Sequence, residues 1–262
     1  MAETPYSLPQ TFRVDGQVAV ITGGADGIGR MAALTLAEAG ARVAVTDIDG
    51  DAAAATAAHI RDLGWQAEAY TLDVADREAV VATFAGIAER EGRIDILINN
   101  AGIAKREPTA DVTLETWDKV VAVNQTAVFL CSREAGKAML KQKSGCIVNI
   151  ASMMGLVGGG FYPNLPYHAT KGAVVNMTRA LAAEWAPHGI RVNAIAPTFV
   201  KTKLTAGLQA DPTMMAEIRR RTPIARMAEV EEMAGGILFL SSAASSMVTG
   251  HTLAIDGGWT AV

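Results

Sequence analysis

The chain has 262 residues, half of them hydrophobic and 19% charged, with a formal charge of −4. That suits one large domain or two small ones with a sizeable core, and it offers no basic patch for nucleic acid or an anionic membrane. Two cysteines, Cys131 and Cys146, both in apolar runs, exclude a disulfide framework; no stretch reaches about 18 uninterrupted apolar residues and the N-terminus lacks a signal-peptide pattern, so a soluble cytoplasmic protein without nucleic-acid or membrane partners is expected.

Met1–Thr11 reads as a loose arm. Strands are expected at Val18–Thr22, Arg42–Asp47, Gln66–Thr71, Ile94–Asn99, Gly145–Ile150, Arg191–Ile195 and Thr252–Ile255. Most are continuous β-branched runs, the pattern of parallel strands buried on both faces. Helical periodicity falls between them, at Gly27–Gly40, Asp51–Leu63, Arg77–Glu91, Leu114–Lys141, Pro166–His188 and Val230–Leu240. The alternation predicts an α/β fold, a doubly wound parallel sheet in a single domain spanning 1–262. No repeat, charge block or linker divides the chain.

The first strand runs into Gly23-Gly24-Ala25-Asp26-Gly27-Ile28-Gly29 and then a helix. Glycines allow a tight turn and close approach to a pyrophosphate, and the helix start behind them supplies free N–H groups. The second strand ends at Asp47, about 20 residues on, where a carboxylate accepts hydrogen bonds from an adenosine ribose and repels a 2′-phosphate. Asp26 adds a second negative charge; Asp49 is the expected cap of the next helix. The expected cofactor is therefore NAD.

Tyr167 and Lys171 stand one helical turn apart, with Ser152 upstream at the end of an apolar run. A free tyrosine has a pKa of about 10. A nearby ammonium is expected to lower it, so that the pair exchanges a proton with an alcohol or ketone near neutral pH. The histidines, His59, His168, His188 and His251, are scattered without metal-ligand spacing, and no metal is expected.

Together these residues resemble the short-chain dehydrogenase/reductase family over roughly Gly16 to Thr260. Thr22–Gly29 is similar to its TGxxxGIG element, Asn99-Asn100-Ala101-Gly102 to its NNAG element, and Asp256-Gly257-Gly258 to its last strand. Asn124, Ser152, Tyr167 and Lys171 fall where that family carries its catalytic tetrad. The resemblance implies a Rossmann fold and a Tyr167 acid/base tuned by Lys171, which also reaches the nicotinamide ribose. It implies a Ser152 donor to the substrate oxygen and an Asn124 that holds a proton-relay water. The implied cofactor contacts are Gly23, Asp26, Gly27, Ile28, Gly29, Asp47, Ile48, Asp73, Val74, Asn100, Ala101, Gly102, Tyr167, Lys171, Pro197, Val200 and Thr202. Two positions depart from the family pattern. Thr198 replaces a usual glycine, and threonine resists positive φ; Thr170 stands where serine is common.

The segment before Tyr167 is expected to line the substrate pocket, with Ser152, Met154, Tyr162, Asn164 and Tyr167 as contacts and Lys201–Pro223 as a variable lid. Tyr162 and Asn164 suit a polyhydroxylated substrate; Met153, Met154 and Phe161 equally suit an apolar ketone. A polyol, sugar, sugar-acid or secondary-alcohol dehydrogenase is ranked first. A 3-oxoacyl-[acyl-carrier-protein] reductase comes second, because Leu130 and His188 occupy its arginine positions, and a non-enzymatic nucleotide sensor third. Val120, Val121, Phe129, Val174, Val175 and Met177 put apolar residues on more than one face of two long helices. With the apolar end Gly258–Val262, they predict a homotetramer.

Overall fold

Residue alternation along the strands sets the architecture. In the computed structural model, which describes residues 7–159 and 161–262, seven parallel strands form one sheet. They are β1 Val18–Thr22, β2 Arg42–Asp47, β3 Gln66–Thr71, β4 Ile96–Asn99, β5 Gly145–Ile150, β6 Ile190–Pro197 and β7 Thr252–Ile255, in the spatial order β3-β2-β1-β4-β5-β6-β7. Every β1 and β4 residue is buried, because helices cover both faces of the sheet. Ala19 and Ile21 face one core with Leu36, Ile60, Ile237 and Leu240. Val18 and Val20 face the other with Phe84, Ile87, Leu97 and Met139. A buried Phe84 truncated to Ala would cost about 3–5 kcal/mol.

The chain is one domain, a Rossmann-like doubly wound sheet as expected. Ile21 pairs with Val45 on one side and with Ile98 on the other, so β1 and β4 are neighbours although two strands separate them in sequence. Strand order reverses there, and loops leave the carboxyl ends of β1 and β4 in opposite directions, opening a crevice.

Helix starts follow their caps. Asp49 accepts from Ala52 N and starts Gly50–Asp62, as expected; Asp76 accepts from Glu78 N and Ala79 N and starts Arg77–Glu91. Several boundaries differ from expectation. Strand β4 begins at Ile96, where the preceding Asp95 turns its carboxylate to Val18 N and Arg93. The expected helix Leu114–Lys141 is three pieces: Leu114–Val121, a wide π turn Ala122–Thr126, and Ala127–Gln142. No propensity rule marks such a turn. Pro166–His188 becomes Leu165–Trp185 with a short 3₁₀ extension, and Val230–Leu240 splits into Val230–Met233 and Ala234–Ser241. Within the expected lid, Asp211 caps a helix Pro212–Arg221 that buries Ile218.

The expected loose arm falls partly outside the described residues; its described end, Leu8–Thr11, is a single helical turn with no buried residue. Both cysteines are buried and free, and burial pushes the Cys131 thiol up to about 12. No helix of the described residues is long and apolar enough to cross a membrane.

The apolar surplus that predicted the tetramer is mostly used within the chain. Val120, Val174 and Val175 are buried, and Trp259 is 7% exposed, packed against Phe199 at 5.5 Å between ring centroids. Trp259 is therefore packed within the chain, whereas Val262 at the same end is 92% exposed. Phe129 remains exposed.

Candidate active site

The site grows from the carboxyl ends of β1 and β4. Gly23 and Gly27 take positive φ (62° and 51°), which glycine adopts without strain. A Cβ on Gly29 would lie 2.0 Å from Gly23 O, so only glycine lets the following helix close on the turn. Asn100 ties β4 to this turn, donating from Nδ2 to Thr22 O at 3.0 Å and Gly23 O at 2.8 Å. The helix start at Asp26 carries no side-chain cap, which leaves its N–H groups free for an anion.

At the end of β2, Asp47 accepts from Ala25 N through Oδ2 and from Asp49 N through Oδ1, both at 3.1 Å. Its carboxylate is thereby fixed beside the glycine turn. Ile48 next to it is 67% exposed, an apolar platform at the cleft edge. Val74 is buried and Asp73 exposed, its Oδ1 accepting from Ala75 N. The Asp26 carboxylate, also in the cleft, forms an exposed ion pair with Lys203 Nζ at 3.1 Å.

A cleft of about 530 Å³ runs from these groups to Ser152, Tyr167 and Lys171. Every residue expected at the site lines it except Gly29 and Asn124. Gly29 serves the packing of helix on turn. Asn124 sits behind the wall, fully buried, in the π turn. Its Oδ1 accepts from Ile103 N at 2.8 Å, and its Nδ2 donates to Ile103 O at 2.9 Å and to Thr170 Oγ1 at 3.3 Å. The wide turn thus presents one amide to the loop after β4 and to the helix that carries Tyr167.

Ser152 Oγ accepts from Met154 N at 3.1 Å, capping a short 3₁₀ turn, and also hydrogen-bonds the Tyr167 hydroxyl. Lys171 Nζ donates to Ile150 O at 2.6 Å and lies 5.6 Å from the centroid of the Tyr167 ring. Burial lowers the lysine to about 8. The phenol moves opposite to expectation: burial pushes it up to about 12, against a partial lowering by the Ser152 hydrogen bond. The cause is that burial disfavours the phenolate while the ammonium is directed at a carbonyl.

The inner wall is aromatic. Phe161 meets Tyr162 edge-on at 4.8 Å and Phe199 at 5.7 Å, with Trp259 behind at 5.8 Å. Met154 and Asn164 are buried at the cleft surface. Helix Pro212–Arg221 braces the loop: Arg221 donates to Gly159 O at 2.7 Å and lies over Phe161. His168 is half-buried, its Nδ1 2.7 Å from Asn164 O. Thr198 lines the cleft without positive φ, so its backbone takes an ordinary conformation. Among the described residues no cluster of three or more His, Cys, Asp or Glu could hold a metal.

Sequence reasoning missed Arg106, Phe199 and Trp259 at the pocket. Arg106 follows Gly102 by four residues, at the carboxyl edge of β4 where ligands bind in such sheets, and that position was the available signal. No sequence signal marks Trp259 as pocket support.

The glycine turn that only hydrogen can fill, the uncapped helix start and the fixed Asp47 fit a dinucleotide. A family model described as enoyl-(acyl carrier protein) reductase matches residues 23–260. Galactitol 2-dehydrogenase of Rhizobium johnstonii is 41% identical over 255 residues, 97% of this chain and 99% of that protein. 5-Keto-D-gluconate 5-reductase of Escherichia coli K12 is 40% identical over 247 residues, 94% of this chain and 96% of that protein. Among solved structures, a gluconate 5-dehydrogenase from Burkholderia cenocepacia, in complex with NADP and tartrate, superposes with a TM-score of 0.94 at 38% identity. It covers 98% of this chain and 100% of its own.

Proposed function

The chain belongs to the short-chain dehydrogenase/reductase family of oxidoreductases, and we propose that it interconverts a secondary alcohol of polyol, sugar or sugar-acid type with its ketone, using NAD(H). The observation that carries this reading is the single cleft in which Tyr167, Ser152 and Lys171 stand between a glycine-turn dinucleotide cradle and a partly polar pocket.

Gly23, Gly27 and Ile28 would hold the pyrophosphate, Asp47 the adenosine ribose, and Ile48 and Val74 the adenine; Pro197, Val200 and Thr202 lie where the nicotinamide end would meet β6. When bound, the nicotinamide accepts or supplies the hydride. Everything else falls to the side chains. Tyr167 as phenol gives its proton to a ketone oxygen and, in reverse, takes the alcohol's proton as phenolate. The Ser152 hydroxyl hydrogen-bonds that same oxygen and stabilises charge developing on it. Lys171, held by Ile150 O, supplies a nearby positive charge that favours the phenolate. Asn124 fixes the Ile103 backbone and the Thr170 hydroxyl, and so fixes the helix that carries Tyr167.

Asp47 supports NAD over NADP, because a fixed carboxylate repels a 2′-phosphate. The acyl-carrier-protein reading stays second: Leu130 is buried, so that position cannot touch a carrier. Exposed Phe129 and Val81, beside Arg133, support association of copies through this helix face. The tetramer then rests on that face without help from Trp259. The functional test is turnover of a panel of polyols, sugar acids and secondary alcohols with NAD and NADP, read as absorbance of reduced nicotinamide. An enzyme that reduces neither cofactor with any member contradicts the reading.

A further inference from the structure

We propose that the pocket selects a polyhydroxy carboxylate over the neutral polyol, with Arg106 taking the carboxylate and Asn164 an adjacent hydroxyl. The inference rests on the secondary-alcohol reading above and names the substrate class of that same site.

Two independent observations carry it. The first is a cation without a counter-charge inside the cleft. Arg106 lines the same cleft as Ser152 and Tyr167, and its guanidinium carbon lies 5.5 Å over the Tyr162 ring. Its hydrogen bond to the protein is a long one, 3.3 Å to Leu204 O, and no carboxylate of the described residues pairs with it. Surface arginines such as Arg93 and Arg226 are held bidentately by acids. Arg106 keeps most of its fork of donors for something else, and that fork matches a carboxylate.

The second observation is a buried acceptor without a donor. Asn164 is 3% exposed and lines the cleft, yet its Oδ1 has no hydrogen-bond partner. Buried side-chain acceptors are rarely left unpaired, because an unmet acceptor keeps the full cost of its desolvation. A carbonyl oxygen accepts an O–H and repels a carboxylate. The Tyr162 hydroxyl lies near both the Asn164 side chain and the Arg106 guanidinium in the same cleft lining. Arg106, Tyr162 and Asn164 therefore form one polar corner that accepts a hydroxyl at one end and donates to an anion at the other.

Charge layout agrees. The cleft's carboxylates, Asp26, Asp47 and Asp73, follow β1, β2 and β3, and Asp26 pairs with Lys203, whereas Arg106 follows β4 and Asn164 follows β5. The remaining substrate wall, Met153, Met154 and Phe199, carries no charge. A neutral polyol would satisfy Asn164 and leave the guanidinium without an anion. A hydroxy acid satisfies both.

The test compares D-gluconate, 5-keto-D-gluconate, tartrate and cis-4-hydroxycyclohexanecarboxylate with D-glucitol, galactitol and threitol, on full-length enzyme with saturating NAD or NADP. Wild type, Arg106→Met and Arg106→Lys are assayed, with cofactor titration and thermal melting confirming that each variant is folded. The proposal expects at least one acid to exceed every neutral polyol about tenfold in kcat/KM. Arg106→Met should lower kcat/KM for that acid about 10- to 100-fold, mostly through KM, with neutral polyols changed less than about twofold and Arg106→Lys intermediate. Neutral polyols used as well as the acids, or an Arg106→Met loss equal for both classes, would overturn the proposal and leave the secondary-alcohol reading standing. Turnover of neither class would remove that reading, and this proposal with it.

Discussion

The Lys171 ammonium sits 5.6 Å from the centre of the Tyr167 ring and gives its hydrogen bond to the Ile150 carbonyl, so it acts on the phenol across space and not by direct contact. Lys171 is buried and Tyr167 half-buried, and desolvation drives the two apart: the amine falls to about 8 while the phenol climbs to about 12. The site without ligand therefore holds a protonated tyrosine beside a lysine that titrates close to neutrality.

That lysine has a measurable consequence for stability. Its folded pKa lies below the unfolded value of 10.5, so the unfolded chain binds the extra proton between about 8 and 10.5. Stability from this group is present above 10.5 and lost as pH falls through 8. Urea unfolding of wild type and Lys171→Met across this range should show wild type gaining on the variant by up to about 1.4 kcal/mol per pH unit. A difference that stays flat, or falls with rising pH, contradicts the depressed lysine.

Asp47 is predicted to set cofactor choice. Replacing it with Ala removes a carboxylate held by Ala25 N and Asp49 N. The NAD over NADP ratio of kcat/KM should shrink by roughly 30-fold, about 2 kcal/mol, with activity retained. Equal efficiency of the wild type with both cofactors would sink the account of Asp47.

Asn124→Ala should damage both stability and turnover. The substitution strands Ile103 N and Ile103 O, both bonded to the fully buried Asn124 amide, in a half-buried loop. A loss of about 2 kcal/mol or more is expected by chemical denaturation, with at least a tenfold fall in kcat. A variant with wild-type stability would show that the π turn holds itself.

Association is checked by light scattering at micromolar concentration. A dimer or tetramer, reduced towards monomer by Phe129→Asp, fits the exposed face around Phe129. A wild-type monomer removes it.

Much of this was legible in the residues. All seven strands fell within a few residues of expectation, because β-branched runs buried on both faces admit few alternatives. The cradle was legible because glycine spacing and the Asp47 position are local. What escaped were features made by tertiary packing. The π turn at Ala122–Thr126 has no composition signal, and Trp259 looked like an exposed chain end until Phe199 and Phe161 closed over it. The sign of the Tyr167 shift also escaped, since helical spacing places Lys171 on the right face but does not reveal that Ile150 O takes its proton donor.

The most direct measurement is Tyr167→Phe, which deletes the acid/base proton and keeps the ring. With the best substrate found for the wild type, kcat should fall by about 10²- to 10⁴-fold, while cofactor titration gives a dissociation constant within about threefold of wild type. A loss of only a few-fold in kcat would mean that another group carries the proton, and would contradict the central claim.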